Sequence, residues 1–162
     1  MQLTLAHIGP KSGPKSGKLN LKSQYDALTR LYLERINPYI PCQSEVFPTE
    51  AAFLDWLANP KRSSRSAKSA FPVLLDSRGR QLSSAEFASW LGARRDQAVQ
   101  HIAFAIGPAD GWSPAALETA QSGLILSFGP ITLAHDLARL VLSEQLYRAC
   151  TILAGHPYHS GH

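Results

Sequence analysis

Three short apolar runs constrain the fold: FPVLLD (71–76), HIAFAI (101–106) and GLILS (123–127). Each is apolar on both faces and too short for an ordinary helix, and the first two are followed by a helix-start signal. Ser83-Ser84-Ala85-Glu86 forms a capping box, and Ser113-Pro114 places a cap and a first-turn proline. A strand apolar on both faces needs a cover on both. Strand–helix alternation supplies it with a mostly parallel sheet between two helical layers. The first half repeats the pattern. Leu3, Leu5 and Ile8 alternate before Gly9-Pro10, and Leu21, Tyr25, Leu28, Leu31, Tyr32 and Ile36 recur at helical spacing up to Asn37-Pro38. A strand near 43–47 then precedes a helix opening at Thr49, with Phe53, Trp56 and Leu57 on its apolar face. The expectation is one α/β domain over 1–162, its mostly parallel sheet carrying helices on both faces.

In such sheets ligands bind beyond the carboxyl ends of the strands. Three late loops lie there: after Leu75-Asp76, IGPADGWSP (106–114) and SFGPITLAH (127–135). The glycines allow close backbone approach, but there is no P-loop lysine, and Asp110 stands where a phosphate would sit. Such loops offer backbone donors and acceptors to an uncharged heterocycle, and each also reads as a plain connection. Trp112 and Tyr158, placed in loops, could stack on a base.

The last helix runs from near Leu133 to Leu153 and stops at Gly155. Its apolar residues form no single stripe: Leu137, Leu140 and Val141 lie on one side, Leu142, Leu146 and Leu153 on the other. That pattern predicts cover from both the chain's own core and a partner. Glu144 and Arg148 form an i,i+4 pair that reads first as a structural ion pair. The tail HPYHSGH carries three histidines without the fixed scaffold or carboxylates of a metal site, so no metal is expected.

Charge is uneven. Residues 1–95 hold 14 Lys/Arg against 7 Asp/Glu, whereas residues 96–162 hold 2 against 5. A basic half suits a polyanion, nucleic acid before membrane, and equally an ordinary solvated surface. No apolar run approaches the ~18 residues that span a bilayer. MQLTLAHIG has no secretory pattern, and Cys42 and Cys150 lack metal or disulfide spacing, so a reducing cytoplasm is expected.

The combination IGPADGWSP, ITLAHDLAR, LSEQLYRA and HPYH resembles the RlmH family of SPOUT-class RNA methyltransferases, densely over about 71–159 and faintly before it. The resemblance implies a C-terminal deep trefoil knot that holds S-adenosylmethionine. Its cofactor-binding positions would be Leu75, Asp76, Gly107, Pro108, Gly111, Gly129, Pro130, Ile131, Thr132, Leu133 and Ala134. It implies a homodimer with a shared site, and methylation of N3 of a pseudouridine in the helix 69 loop of large-subunit (23S) rRNA within the assembled ribosome. His159 or Glu144 would assist the proton, with Tyr158 and Arg148 positioning the base. His135, Arg139, Lys11, Lys15, Lys18, Lys61, Arg62 and Arg65 would meet RNA. Two departures from the family pattern stand out. Pro108 replaces a glycine of the GGPEG-like loop and removes an N–H, and Ser160 stands where a basic residue commonly follows Tyr158-His159. A SPOUT enzyme of different substrate and a non-catalytic ribosome-binding protein are the competing readings.

Overall fold

Side-chain parity along the strands divides the core in two. The computed structural model describes residues 1–9, 21–59 and 69–159. Among these, β1 (Gln2–Ile8), β2 (Cys42–Phe47), β3 (Phe71–Gln81), β4 (His101–Ile106) and β5 (Leu124–Ser127) form one sheet in the order β2-β1-β4-β3-β5, every neighbouring pair parallel. Leu3, Leu5, Val73, Ile102, Phe104 and Ile106 face one side. There they meet Ile36 of α1 (Leu21–Ile36), Phe87 and Leu91 of α3 (Ser84–Asp96), and Leu142 and Leu146 of α5 (His135–Leu153). Ala6, Leu74, Ala103 and Ala105 face the other side, under α2 (Glu50–Ala58) and α4 (Pro114–Thr119). The alanines leave room there for the rings of Phe47, Phe53 and Trp112, so small residues on the sheet meet large ones opposite.

The helix starts follow local chemistry. Thr49 Oγ1 accepts from the Ala52 N–H, and Ser113 Oγ accepts from the Ala116 N–H ahead of Pro114. Ser83 and Glu86 close a reciprocal capping box. Helix α5 begins at His135, two residues later than its pattern suggests, and its cap, Ala134, makes no side-chain hydrogen bond. Helix α4 ends at Thr119, and a 3₁₀ turn over Ala120–Ser122 completes the segment.

The largest difference from expectation is β3. The apolar pattern ends the strand at Asp76, yet it continues to Gln81. Between Leu75 and Arg80 the register with β5 shifts, and pairing resumes at Arg80–Leu126 and Gln81–Ser127. The intervening residues bulge outward. The Asp76 carboxylate folds this bulge by accepting from the Arg78 backbone N–H at 2.9 Å and its Nε at 2.8 Å. Gly79 lets the strand rejoin, because a Cβ there would stand 2.7 Å from the Ile125 backbone. The parallel order thus brings the loops after β3, β4 and β5 to one edge, where α5 starts.

Gly123, at the entrance to β5, has no room for a side chain: a Cβ would overlap the Pro72 carbonyl. Gly123→Ala is expected to push β5 away from β3 and cost about 3 kcal/mol, lowering Tm by roughly 10 °C in a thermal melt. An unchanged Tm would mean that this edge yields freely.

Candidate functional site

A cavity of about 290 Å³ opens over the bulge of β3 at Leu75–Ser77 and the carboxyl ends of β4 and β5, and is bounded by the first turn of α5. Of the residues expected to bind a cofactor, Leu75, Asp76, Gly107, Pro108, Gly111, Gly129, Ile131, Thr132 and Leu133 line it, whereas Pro130 and Ala134 do not. Gly111 and Gly129 turn the loops with φ of +85° and +103°, conformations that other residues adopt at a cost. The Gly111 N–H donates to the Pro108 carbonyl at 3.0 Å. Proline at 108 therefore serves this turn as an acceptor, for which its missing N–H is irrelevant.

Trp112 is not a free stacking surface. It is buried, packs against Phe53, and donates from Nε1 to the Leu75 carbonyl at 2.8 Å. A Cβ on Gly107 would come within 2.8 Å of its ring. The indole therefore ties the β3 loop to the β4 loop and forms a wall of the cavity. The aromatic ring satisfies the core, and its one polar atom satisfies a carbonyl at a strand end.

The chemistry of the lining is selective. Among the described residues it presents Leu75, Ile106, Leu126, Phe128 and Leu133, loop backbone, the His135 imidazole and the Asp76 carboxylate, and no lysine or arginine. Hydrogen bonds and charge from Arg78 hold that carboxyl below the usual range, so it is anionic at neutral pH. Such a donor set fits a cationic or neutral nucleoside-type cofactor and disfavours one carrying phosphates.

The C-terminal residues assemble elsewhere. Glu144 Oε1 accepts from Arg148 Nε at 3.0 Å, from another guanidinium nitrogen at 2.7 Å, and from the Tyr158 hydroxyl at 3.3 Å. Glu144 Oε2 accepts from Gln145 Nε2 at 2.7 Å. Tyr158 also packs edge-on against Tyr147 and lies under the Arg148 guanidinium. Burial, first, and its neighbours Tyr32 and Glu144 push the Tyr158 hydroxyl up to about 12. It stays protonated. His159 closes the 3₁₀ turn Pro157–His159, and its side chain lies outside the described residues. Glu144 is six positions beyond Ala138, the last α5 residue to line the cavity, so this cluster is displaced from the cavity by roughly 9 Å along α5.

Residues assigned to RNA divide. Lys11, Lys15, Lys18, Lys61, Arg62 and Arg65 lie outside the described residues. His135 lines the cavity. Arg139 is only 5% exposed and is bound to Asp26 of α1, with Asp136 3.7 Å away, so its charge is already engaged inside the protein. Among the described residues, no group of three or more His, Cys, Asp or Glu is placed to hold a metal ion, and no helix is long and apolar enough to cross a membrane.

His7 was not visible as a site residue in the sequence, because it reads as an interior strand position. It is 5% exposed, its ring meets that of His135 edge-on at 5.7 Å, and its Nδ1 has no hydrogen-bond partner among the described residues. Burial, followed by the charges of Arg139 and His135, lowers its pKa to about 4. The folded protein therefore holds this imidazole neutral. That preference stabilises the fold fully above the unfolded pKa of ~6.5 and is lost as pH falls through 4. Between pH 7 and pH 4 the wild type is expected to lose about 3 kcal/mol more than His7→Phe in urea unfolding. Equal losses would show that His7 is not held neutral.

Comparison with known proteins identifies the family. A family model described as "Predicted SPOUT methyltransferase" matches residues 16–159. A protein from Koribacter versatilis named ribosomal RNA large subunit methyltransferase H is 45% identical over 141 residues, which cover 87% of this chain and 92% of that protein. One of the same name from Xanthobacter autotrophicus is 40% identical over 169 residues, covering 98% and 99%. The chain belongs to the SPOUT methyltransferase family, within its group of ribosomal RNA large subunit methyltransferase H proteins.

Proposed function

We propose that this protein transfers a methyl group from S-adenosylmethionine to N3 of a pseudouridine in the helix 69 loop of 23S rRNA, in the assembled ribosome, as a cytoplasmic homodimer. The observation that carries this reading is the cavity framed by the β3 bulge and the loops after β4 and β5, which no lysine or arginine among the described residues lines. The names of the relatives support an rRNA substrate. The implied C-terminal knot would be formed by the segment that frames this cavity, from β3 to α5.

S-adenosylmethionine would supply an electrophilic methyl on a cationic sulfur. The chain's own contribution is to orient and to handle a proton. Leu75, Gly107, Pro108, Gly111, Gly129, Ile131, Thr132 and Leu133 would hold the nucleoside part largely through backbone and apolar contact, and the anionic Asp76 would complement hydroxyls or positive charge. Transfer requires donor and acceptor in line and loss of the N3 proton, so positioning supplies most of the rate. Glu144 accepts hydrogen bonds from Arg148, Tyr158 and Gln145, which makes it an anchor for the tail. His159 is then the better proton acceptor, with Tyr158 and Arg148 positioning the base.

Two features support a site shared between subunits. The Glu144–Tyr158 cluster is displaced from the cavity of its own chain, and Leu137, Leu140 and Val141 are only half-buried. A second α5 laid against that face would cover them and bring one tail to the other cavity. Lys11, Lys15, Lys18, Lys61, Arg62 and Arg65 would contact rRNA phosphates, giving salt-dependent affinity. Arg139 would act indirectly, fixing the start of α5 to α1 beside His135.

Purified protein, labelled S-adenosylmethionine and ribosomes lacking the modification test the reaction. The label is expected in large-subunit rRNA, at pseudouridine N3 by mass mapping of nucleosides. His159→Ala is expected to lower kcat about 100-fold while leaving cofactor affinity in calorimetry within about twofold. Label at another nucleoside would favour a different substrate. Absence of cofactor binding would reject catalysis altogether.

A further inference from the structure

A second cavity, about 540 Å³, lies beside the first, between the end of β1, the start of α2, the β4–α4 loop and the start of α5. The two share Pro108, Ala109 and His135 as a common wall. An occupant of the second cavity therefore sits next to whatever fills the first, which is the position of a methyl acceptor.

Among the described residues its polar lining is Thr49, Glu50, Asp136, His7 and His135. Two of these are carboxylates that accept from N–H donors, with Arg139 beside Asp136 at 3.7 Å. Glu50 is fixed in place, because one of its oxygens accepts from the Ser113 N–H at 3.0 Å and the other from the Ser113 hydroxyl. Each oxygen keeps a second lone pair. Asp136 is held between His135, 3.9 Å away, and Arg139. His7 is nine-tenths buried, lines the cavity, and has a ring nitrogen with no partner among the described residues. A buried polar atom left unpaired is costly, and in the tautomer that carries its proton on Nε2 an arriving N–H would relieve it.

We propose that this second cavity receives the ring of the methyl-acceptor nucleoside, and that its array of acceptors reads the N1–H that pseudouridine carries and uridine lacks. The inference rests on the reaction proposed above. In uridine N1 is bonded to the ribose, leaving N3–H as the single ring donor. In pseudouridine the ribose is on carbon, so N1–H remains to be bound while N3 gives up its proton to the reaction. A site that hydrogen-bonds a ring N–H rejects the analogue without it, because its own acceptors are then left unpaired. His7, Glu50 and Asp136 are assigned this positioning and specificity role.

The test uses the full chain with isotope-labelled histidine, observed by NMR, titrated with pseudouridine, uridine and N1-methylpseudouridine nucleosides. Pseudouridine is expected to shift the His7 and His135 ring signals with an affinity at least about tenfold above the other two. In His7→Phe this preference should fall to about twofold or less. Asp136→Ala, in the first turn of α5, should lower it likewise and serves if the buried His7 variant does not fold. Equal affinities, or no shift of these rings at about 20 mM pseudouridine, would overturn the inference. The outcomes separate it from the proposed reaction. Selective nucleoside binding with no methylation of ribosomes leaves the pocket standing and removes the reaction. Methylated ribosomes with unselective nucleosides do the reverse.

Discussion

Burial of the sheet on both faces is the constraint from which the site follows. With bulky residues toward α1, α3 and α5, and alanines toward α2 and α4, neither face can open to a ligand. A parallel sheet closed in this way has its backbone ends as the remaining access, and the order β2-β1-β4-β3-β5 gathers the ends of β3, β4 and β5 at one edge. The Trp112–Leu75 hydrogen bond then locks two of these loops together. The cavity is a consequence of core packing before it is a feature of chemistry.

The described walls of both cavities carry carboxylates, imidazoles and backbone but no lysine or arginine. The cations clustered in the sequence at Lys11–Lys18 and Lys61–Lys68 lie outside the described residues. Charge can draw a nucleic acid toward the enzyme over about a Debye length, whereas desolvated acceptors select the base at contact.

Most of the fold was legible because its signals are local. Ser83 with Glu86, Ser113 with Pro114, and the apolar run of β4 each fix structure within a few residues. Leu75, Gly107 and Gly129 were legible for the same reason, as strand-end and turn residues. What escaped depends on contacts distant in sequence. The continuation of β3 past Asp76 needs Gly79 to pass the backbone of Ile125, which no pattern around residue 79 announces. Trp112 in a loop looks exposed until Phe53 and Leu75 are placed around it. His7 looks like any strand residue until α5 sets His135 and Arg139 beside it.

Glu144 shows how an acid–base pair within a helix can hold a neighbouring turn in place. A carboxylate acting as a base needs a free lone pair directed at the proton and a modest gain on taking it. Here the two oxygens already accept hydrogen bonds from Arg148, Tyr158 and Gln145. The effect of the arrangement is mechanical. It holds Tyr158, and with it the turn Pro157–His159, against the middle of α5. A tail that would otherwise fray becomes a fixed projection, so the position of His159 is set by an ion pair within the helix. Loss of Glu144 would therefore release the turn Pro157–His159 from the middle of α5.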